Sequence, residues 1–492
     1  MMSLARKTAR GAALTILSSM GGRVVGAIGT LVLTRFLSRD TMGEVEVATV
    51  IVFTASWFSL FGFGQYVIVR GKGDEEAEVI WHCTVANLVL GGAVLGFIAL
   101  FGHLFTPFAS ADHAAVYVPG MALSTAIKRI GSIPEKILLK QLRFRPLALA
   151  AALGEITFAV VTVGLAAAGL GGASIVIGNV VQSLLWSGIM IGAAGVRSWT
   201  TPTPLRWARF VDMARFGVPL ALESIAHNAA RYWDNLLMAR FFKPATMASY
   251  KLAYNLADIP AVQVGEQIGQ ALLPSMALLP PERRPRALER SAALLSLLIF
   301  PMAVGLALIA HPFVAVVLNA EWQGVAPLLV VLAALAIFRP ITWVLGTYLE
   351  AQAQTSRLMF LEFGKLVLLL GGIAMLAPYG IQVAAGAVGV AYGFNAIAGV
   401  LLVSREGPSA WRLFKAFAET TLACVVMAAA VLGVRAGCVS IGMTSPLFHL
   451  IVGVVVGAGS YIVAALIICR ETARDFLTLL RDVVSRRRGG DE

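Results

Sequence analysis

Charge is scarce in this chain. Only 13% of its 492 residues are Asp, Glu, Lys or Arg, against roughly 25% in soluble globular proteins. That shortage leaves no room for a soluble catalytic domain. Cysteine is scarcer still. Cys83, Cys424, Cys438 and Cys469 stand at no metal or redox spacing, and only Cys438 falls in an expected external loop, so neither a metal site nor a disulfide framework is expected. The sequence has no P-loop, nucleophile elbow, HExxH helix or DxD-type acid pair, so neither an enzyme nor a cofactor is expected. No cleavable leader is expected either. Arg6, Lys7 and Arg10 precede an apolar run that continues to about Leu37, whereas a signal h-region ends after roughly 7–15 residues. A retained helix is the expectation.

What the chain has in abundance is apolar surface: 58% hydrophobic residues and a mean hydropathy of +0.81. A spanning helix needs about 20 largely apolar residues. Fourteen segments meet that length, at approximately 11–37, 45–67, 79–104, 114–138, 146–169, 172–195, 214–241, 246–276, 291–317, 323–350, 357–378, 381–403, 413–435 and 446–469. Alternate loops are strongly basic. One set carries Arg70 and Lys72, then Lys140, Arg143 and Arg145, then Arg197, Arg206 and Arg209, and further on Arg283, Arg284, Arg286 and Arg290. The other set holds little beyond Arg35, Arg39, Arg240, Lys243 and Arg435. By the positive-inside rule both termini are cytoplasmic and the net charge of +12 belongs to cytoplasmic loops, not to a nucleic-acid surface. Every external loop is short.

The chain repeats itself. At a shift of 205 residues Ala9-Arg10 falls on Ala214-Arg215, Ser19 on Ser224, Leu31 on Leu236, Arg35-Phe36 on Arg240-Phe241, Thr41-Met42 on Thr246-Met247 and Ala48 on Ala253. Repeats separated by six helices run parallel, with an axis along the membrane normal and a substrate path at their interface. The expected fold is therefore an all-α integral membrane protein of two pseudo-symmetric six-helix bundles plus two C-terminal helices. The expected divisions are 1–196 for the first bundle, 197–213 for a cytoplasmic linker, 214–404 for the second bundle, 405–469 for the last two helices and 470–492 for a basic tail.

The informative charges are those inside the apolar segments. An ionisable side chain in hydrocarbon is costly and normally faces a partner or a hydrated cavity. Thr15, Ser19, Arg23, Thr30 and Thr34 share one helical face, as do Ser124, Lys128, Ser132 and Glu135, with Arg129 alongside. Glu223, His227, Arg231 and Asp234 form a third stripe, and Lys251, Asn255, Asp258, Glu266 and Gln270 a fourth. Arg23, Lys128, Arg129 and Arg339 have no opposite charge one turn away. With Arg231 and Lys251 they are the expected substrate-binding residues, because arginine and lysine recognise phosphate groups. Asp234, Asp258, Glu266 and Glu155 are the expected coupling sites for H+ or Na+, since a carboxyl in low dielectric binds and releases protons near neutrality. A plainer reading stands beside this one: Arg231 with Asp234, and Glu362 with Lys365 near the inner interface, are spaced to neutralise each other.

Several motifs resemble the Wzx-type flippases of the polysaccharide transporter family, in the superfamily that also holds MATE exporters and lipid II flippases. Leu33-Thr34-Arg35-Phe36-Leu37-Ser38-Arg39-Asp40-Thr41-Met42-Gly43 is similar to that family's turn after the first helix, with Arg39 in place of the usual proline and Met42 in place of the usual aromatic. Leu142-Arg143-Phe144-Arg145, Phe216-Gly217-Val218-Pro219-Leu220, Asp234-Asn235-Leu236-Leu237, Tyr250-Lys251-Leu252-Ala253-Tyr254 and Glu321-Trp322 match in order along roughly residues 5–405. The resemblance implies a flippase of the bacterial inner membrane. Its cargo would be an undecaprenyl-pyrophosphate-linked oligosaccharide for exopolysaccharide, capsule or O-antigen, with a polysaccharide polymerase and a chain-length regulator as expected partners. Two other readings stay open: a MATE-like drug exporter, and a non-transporting scaffold of a glycan assembly complex.

Overall fold

The computed structural model describes residues 25–260 and 280–478, apart from positions 27, 60, 72, 110, 142, 353 and 406. The described chain is helical, with no strand. Among the described residues eight helices are long and apolar enough to cross a membrane, including Phe144–Ala167, Ala173–Ala194, Ile381–Ser404 and Pro446–Ile468. At 1.5 Å per residue, 22 residues reach about 33 Å, which matches a hydrocarbon core of about 30 Å. Their outer faces confirm the solvent. Val89, Leu100, Met375 and Ile467 are all more than 65% exposed, a pattern that water would penalise and acyl chains do not.

Contacts divide the chain into two compact units, Met1–Ala248 and Ser249–Glu492. In the first unit the helices are α1 (Arg39–Trp57), α2 (Phe63–Arg70), α3 (Glu76–Phe101), α4 (Val118–Ile130), α5 (Ser132–Lys140), α6 (Phe144–Ala167), α7 (Ala173–Ala194) and α8 (Trp207–Phe242). α6 packs along α7, α7 on α4 and α5, and α1 on α4 and α8. α9 (Pro244–Pro260) follows, and it begins 205 residues after α1, at the offset of the sequence repeat.

Two expected spans of this unit are broken. The stretch 45–67 divides between α1 and α2 at Phe58–Gly62, where Gly62 takes φ +60°, a conformation that favours glycine. The stretch 114–138 divides between α4 and α5 at Gly131. Gly131 is required there because a Cβ would sit 2.9 Å from the Cα of Ser187 on α7. Hydropathy counts a broken span as one, so neither break is visible in composition. The expected span 214–241 lies inside α8, and the described part of 246–276 ends with α9.

The second unit continues with α10 (Arg284–Val317), α11 (Val325–Leu335), α12 (Phe338–Ala351), α13 (Thr355–Leu376), α14 (Ile381–Ser404), α15 (Ala410–Ser440) and α16 (Pro446–Ile468). α11 and α12 together have the length and apolarity of one span, with a bend of 41° between them. The core runs through α10, α12, α14, α15 and α16 around Phe300, Tyr348 and Leu349. The final pair, α15 and α16, packs against α10, and the Tyr461 hydroxyl donates 2.6 Å to the Leu297 carbonyl.

Candidate functional site

Arg129 shows how the first unit handles an ionisable side chain at membrane depth. A helix leaves its last carbonyls unpaired and carries a partial negative charge at that end. α1 ends at the break before α2, inside the bundle. The Arg129 guanidinium reaches this end from α4 and donates to the Ser59 carbonyl at 3.3 Å, the Ser56 carbonyl at 3.1 Å and the Ser56 hydroxyl at 2.9 Å. It is 6% exposed. Gly91 on α3 makes room for it, since a Cβ there would fall 2.2 Å from Arg129 Cδ. The break after Arg129 is covered in turn. Asn87 donates to the Arg129 carbonyl at 3.2 Å and to the Ser132 hydroxyl at 3.0 Å. The structure thus places Arg129 as a clamp on two interrupted helices.

Lys128, its neighbour in sequence, faces elsewhere. Its ammonium lies 5.5 Å from the ring centre of Trp186, within range of a cation–π attraction. Lys128, Gly154, Glu155, Gln182, Ser183 and Trp186 border a cavity of about 230 Å³. Gln182 donates to Glu155 at 3.3 Å, and Ser183 shares a hydrogen bond with Ser124 at 3.0 Å. Two expected site residues, Lys128 and Glu155, are therefore brought to one cavity. Asp234 is fully buried in α8 and accepts the backbone N–H of Asn235 at 2.8 Å.

The densest grouping is in the second unit. Arg339, on α12, is 4% exposed and ion-pairs with Asp258 of α9. Its guanidinium lies 4.6 Å from the ring centre of Tyr254 and 5.1 Å from that of Tyr392. On the same Tyr392 ring, 5.0 Å away, sits the ammonium of Lys365 from α13. Lys365 donates to Glu362 at 2.5 Å. Asn395 of α14 donates to the Leu361 carbonyl at 3.1 Å and to Glu362 at 3.4 Å. Four helices thus bring two cations and two carboxylates around one tyrosine.

Sequence spacing could not reveal the Arg339–Asp258 pair, whose members sit on helices far apart in the chain. Reading Glu362 and Lys365 as an interface pair missed a tertiary partner, Tyr392. The available signal was depth: Lys365 lies ten residues into α13, about 15 Å along its axis, too far in for easy snorkelling. Lys251 is half-buried on α9. Arg23, Glu266 and the Arg231 side chain lie outside the described residues.

A separate, partly buried network ties the start of α3 to the start of α8. Arg209 bonds Glu75 at 3.0 Å and Glu78 at 3.4 Å, and Arg206 pairs with Glu78 at 3.7 Å. The backbone N–H of Arg206 donates to His82 Nε2 at 2.9 Å, and Tyr66 donates to Asp212 at 2.5 Å. Isolated surface pairs contribute little; here several charges hold one another.

These features define a class: a multi-pass, all-helical membrane protein that buries ionisable clusters at the depth of the bilayer. Its fold is similar to that of the lipid II flippase MurJ in an inward closed conformation, with a TM-score of 0.76 over 93% of this chain and 99% of that one, at 13% identity. Among curated proteins it is similar to the lipopolysaccharide biosynthesis protein WzxC of Escherichia coli (strain K12), 24% identical over 80% of this chain and 79% of that one. It is also 24% identical to the succinoglycan biosynthesis transport protein ExoT of Rhizobium meliloti (strain 1021), over 65% of this chain and 66% of that one. A family model described as polysaccharide biosynthesis protein matches residues 32–327. The chain belongs to that family, and the resemblance carried by residues 33–43 is borne out.

Proposed function

We propose that this protein is a flippase that carries a lipid-linked oligosaccharide from the cytoplasmic to the periplasmic leaflet of the bacterial inner membrane. Exopolysaccharide, capsule or O-antigen is the product it serves, and undecaprenyl diphosphate is the carrier lipid. The observation that carries the reading is the burial of arginine and lysine at membrane depth in a chain of this family. A diphosphate head group crossing hydrocarbon needs cations to replace its water. Lys128 and the Arg339–Lys365 cluster supply them, with Arg23, Arg231 and Lys251 as further contributors. Transport is driven by a proton or sodium gradient, with Asp234, Asp258, Glu155 and Glu266 as coupling groups, and both termini are cytoplasmic. The transport and flippase names of the relatives support a transporter role over catalysis.

The test is a chromosomal deletion followed by extraction of lipid-linked glycans. The expected result is an accumulated undecaprenyl-diphosphate oligosaccharide, inaccessible from the periplasm, that a plasmid copy clears. Unchanged polymer export with no accumulated intermediate would refute the reading.

A further inference from the structure

The second unit has another cavity, away from the cation cluster. It lies where α10 begins and α16 finishes, and its volume is about 530 Å³. Both walls are helical. On α10, Leu288, Ala292 and Leu295 turn into the core. Arg286, Arg290, Ala293 and Leu294 share a different face of that helix and line the cavity. The second wall is the helical segment 470–478 that follows α16. Its Ala473 is buried and its Phe476 packs on the core. Glu471, Arg474 and Asp475, about one turn apart, face the cavity.

Some of these charges satisfy one another. Arg290 joins Asp475 at 2.9 Å and so ties wall to wall. Glu289, which also borders the cavity, is held by Arg412 at 3.3 Å and by the Ser409 backbone N–H at 2.8 Å. The side chains of Arg286, Arg474 and Glu471 have no hydrogen bond or ion pair among the described residues. The cavity thus offers two cations and one carboxylate to a ligand. A purely basic pocket suits an anionic head group. Here a simple anion would also meet Glu471, and like charges repel. A zwitterion that carries a phosphate and an ammonium leaves no group unmatched.

Depth separates a lipid from a soluble phosphate compound. Arg286 and Leu294 are eight residues apart on α10, about 12 Å along the axis. Over that distance the wall changes from charged to apolar. The start of α15 marks the membrane surface. Arg412 reaches Glu289, so α10 and α15 begin side by side. Trp411 and Phe414 stack there with ring centres 6.1 Å apart, and they are 70% and 62% exposed. An exposed tryptophan at a helix end sits at head-group level. Arg286 is therefore at head-group depth, and Ala293 and Leu294 lie where acyl chains begin. A soluble compound gains nothing from that apolar wall.

We propose that this cavity binds phosphatidylethanolamine, a zwitterionic phospholipid. Its phosphate accepts hydrogen bonds from Arg286 and Arg474, its ammonium donates to Glu471, and one acyl chain lies against Ala293 and Leu294. Arginine suits the phosphate because its planar fork donates two hydrogen bonds. The lipid bridges the two walls beside the Arg290–Asp475 pair. Those two side chains are 55% and 49% exposed, and a pair so open contributes little by itself. On the topology proposed above, this end meets the cytoplasmic leaflet. The assignment is independent of the cargo.

The experiment uses purified full-length protein in detergent with equal amounts of palmitoyl-oleoyl phosphatidylethanolamine and palmitoyl-oleoyl phosphatidylglycerol. Native mass spectrometry reads which lipid the chain retains. Wild type should favour phosphatidylethanolamine by about fivefold or more, and Arg286→Gln/Arg474→Gln should lower its retention by about tenfold. Glu471→Gln should turn the preference towards phosphatidylglycerol, a change that misfolding cannot produce. Arg435→Gln, at the other end of α15, should change nothing, and a melting curve on each variant checks the fold. O-Phosphoethanolamine in large excess should fail to displace the lipid. Absence of any preference for phosphatidylethanolamine in wild type, or an unaltered preference in Glu471→Gln, would overturn the proposal. Displacement by O-phosphoethanolamine would overturn it too, by giving the cavity to a soluble ligand. Each of these results leaves the flippase reading as it stands.

Discussion

Gly43 of α1 faces the backbone carbonyl of Pro244, the first residue of α9, so closely that a Cβ at position 43 would stand 2.0 Å from the oxygen. The contact is backbone to backbone, so no side chain can rotate away. It also joins the two equivalent turns of the sequence repeat, since α1 and α9 begin 205 residues apart. The glycine that closes the family-like motif at residues 33–43 thus has a physical reason. Gly43→Ala should destabilise the protein by roughly 1–3 kcal/mol, the usual cost of overpacking. Melting of the detergent-solubilised variant would show it as a fall of several degrees, and an unchanged melting curve would contradict the contact.

Ser38, in the same motif, caps α1. Its hydroxyl accepts the Thr41 backbone N–H at 3.2 Å and meets the Thr41 hydroxyl at 2.9 Å. Ser38→Ala should cost about 1 kcal/mol and Ser38→Asp should keep most of the stability, because aspartate also caps and suits the positive end of the helix. A melting comparison of the two variants separates capping from any need for the hydroxyl itself.

Arg129 makes a sharper demand. Its fork serves three acceptors at the end of α1. Lysine presents a single point of charge and cannot match that geometry. Arg129→Lys should therefore lower stability by about 1–3 kcal/mol, the cost of losing buried hydrogen bonds from a charged donor. If Arg129→Lys melts as wild type but abolishes export, the residue binds cargo and the clamp is secondary.

These cases mark what the sequence made legible. The membrane class, the repeat and the start of α1 follow from local pattern, because apolar length, a cap and a glycine all act within a few residues. The breaks at Gly62 and Gly131 do not. The first is met by a buried arginine reaching across from another helix and the second by close packing on Ser187 of α7, and hydropathy averages over both. The same limit hid the partner of Arg339. Asp258 was visible as a membrane acid and Arg339 as a membrane base, but only the tertiary fold brings the two side chains together. Lys365 was discounted because a partner one turn away looked sufficient, while Tyr392 comes from another helix.

Glu44 offers a pH test outside the membrane-spanning core. Burial raises its carboxyl above the ordinary value, His113 lowers it and Asp40 raises it further. A carboxyl whose folded-state value is raised favours the folded protein while protonated. That contribution is present below the ordinary carboxylate range and is lost as pH rises through the raised value. Glu44→Gln removes the penalty. The variant should melt at or above wild type at pH 7, and the difference should shrink towards zero as the pH falls through the carboxylate range. A difference that grows on acidification would reverse the assignment.

Lys128 is the test of cargo recognition in the first unit. It borders the same cavity as Glu155, over the Trp186 ring. Reversing its charge there puts a second carboxylate beside a cavity that already has one, and like charges in a low-dielectric site repel strongly. An anionic head group loses its cation at the same stroke. Lys128→Glu should lower polymer export by about tenfold or more in a deletion strain carrying the variant on a plasmid. Trp186→Phe keeps the aromatic face and should cost much less. Immunoblots of membrane fractions fix the protein level in each strain. If export is lost only because the variant fails to accumulate, Lys128 is a packing residue held by Trp186. If protein level is normal and export is too, the cation at 128 takes no part in transport. Loss of export at normal protein level is the expected result, and Lys128→Arg should then retain function because it keeps the charge over the same ring.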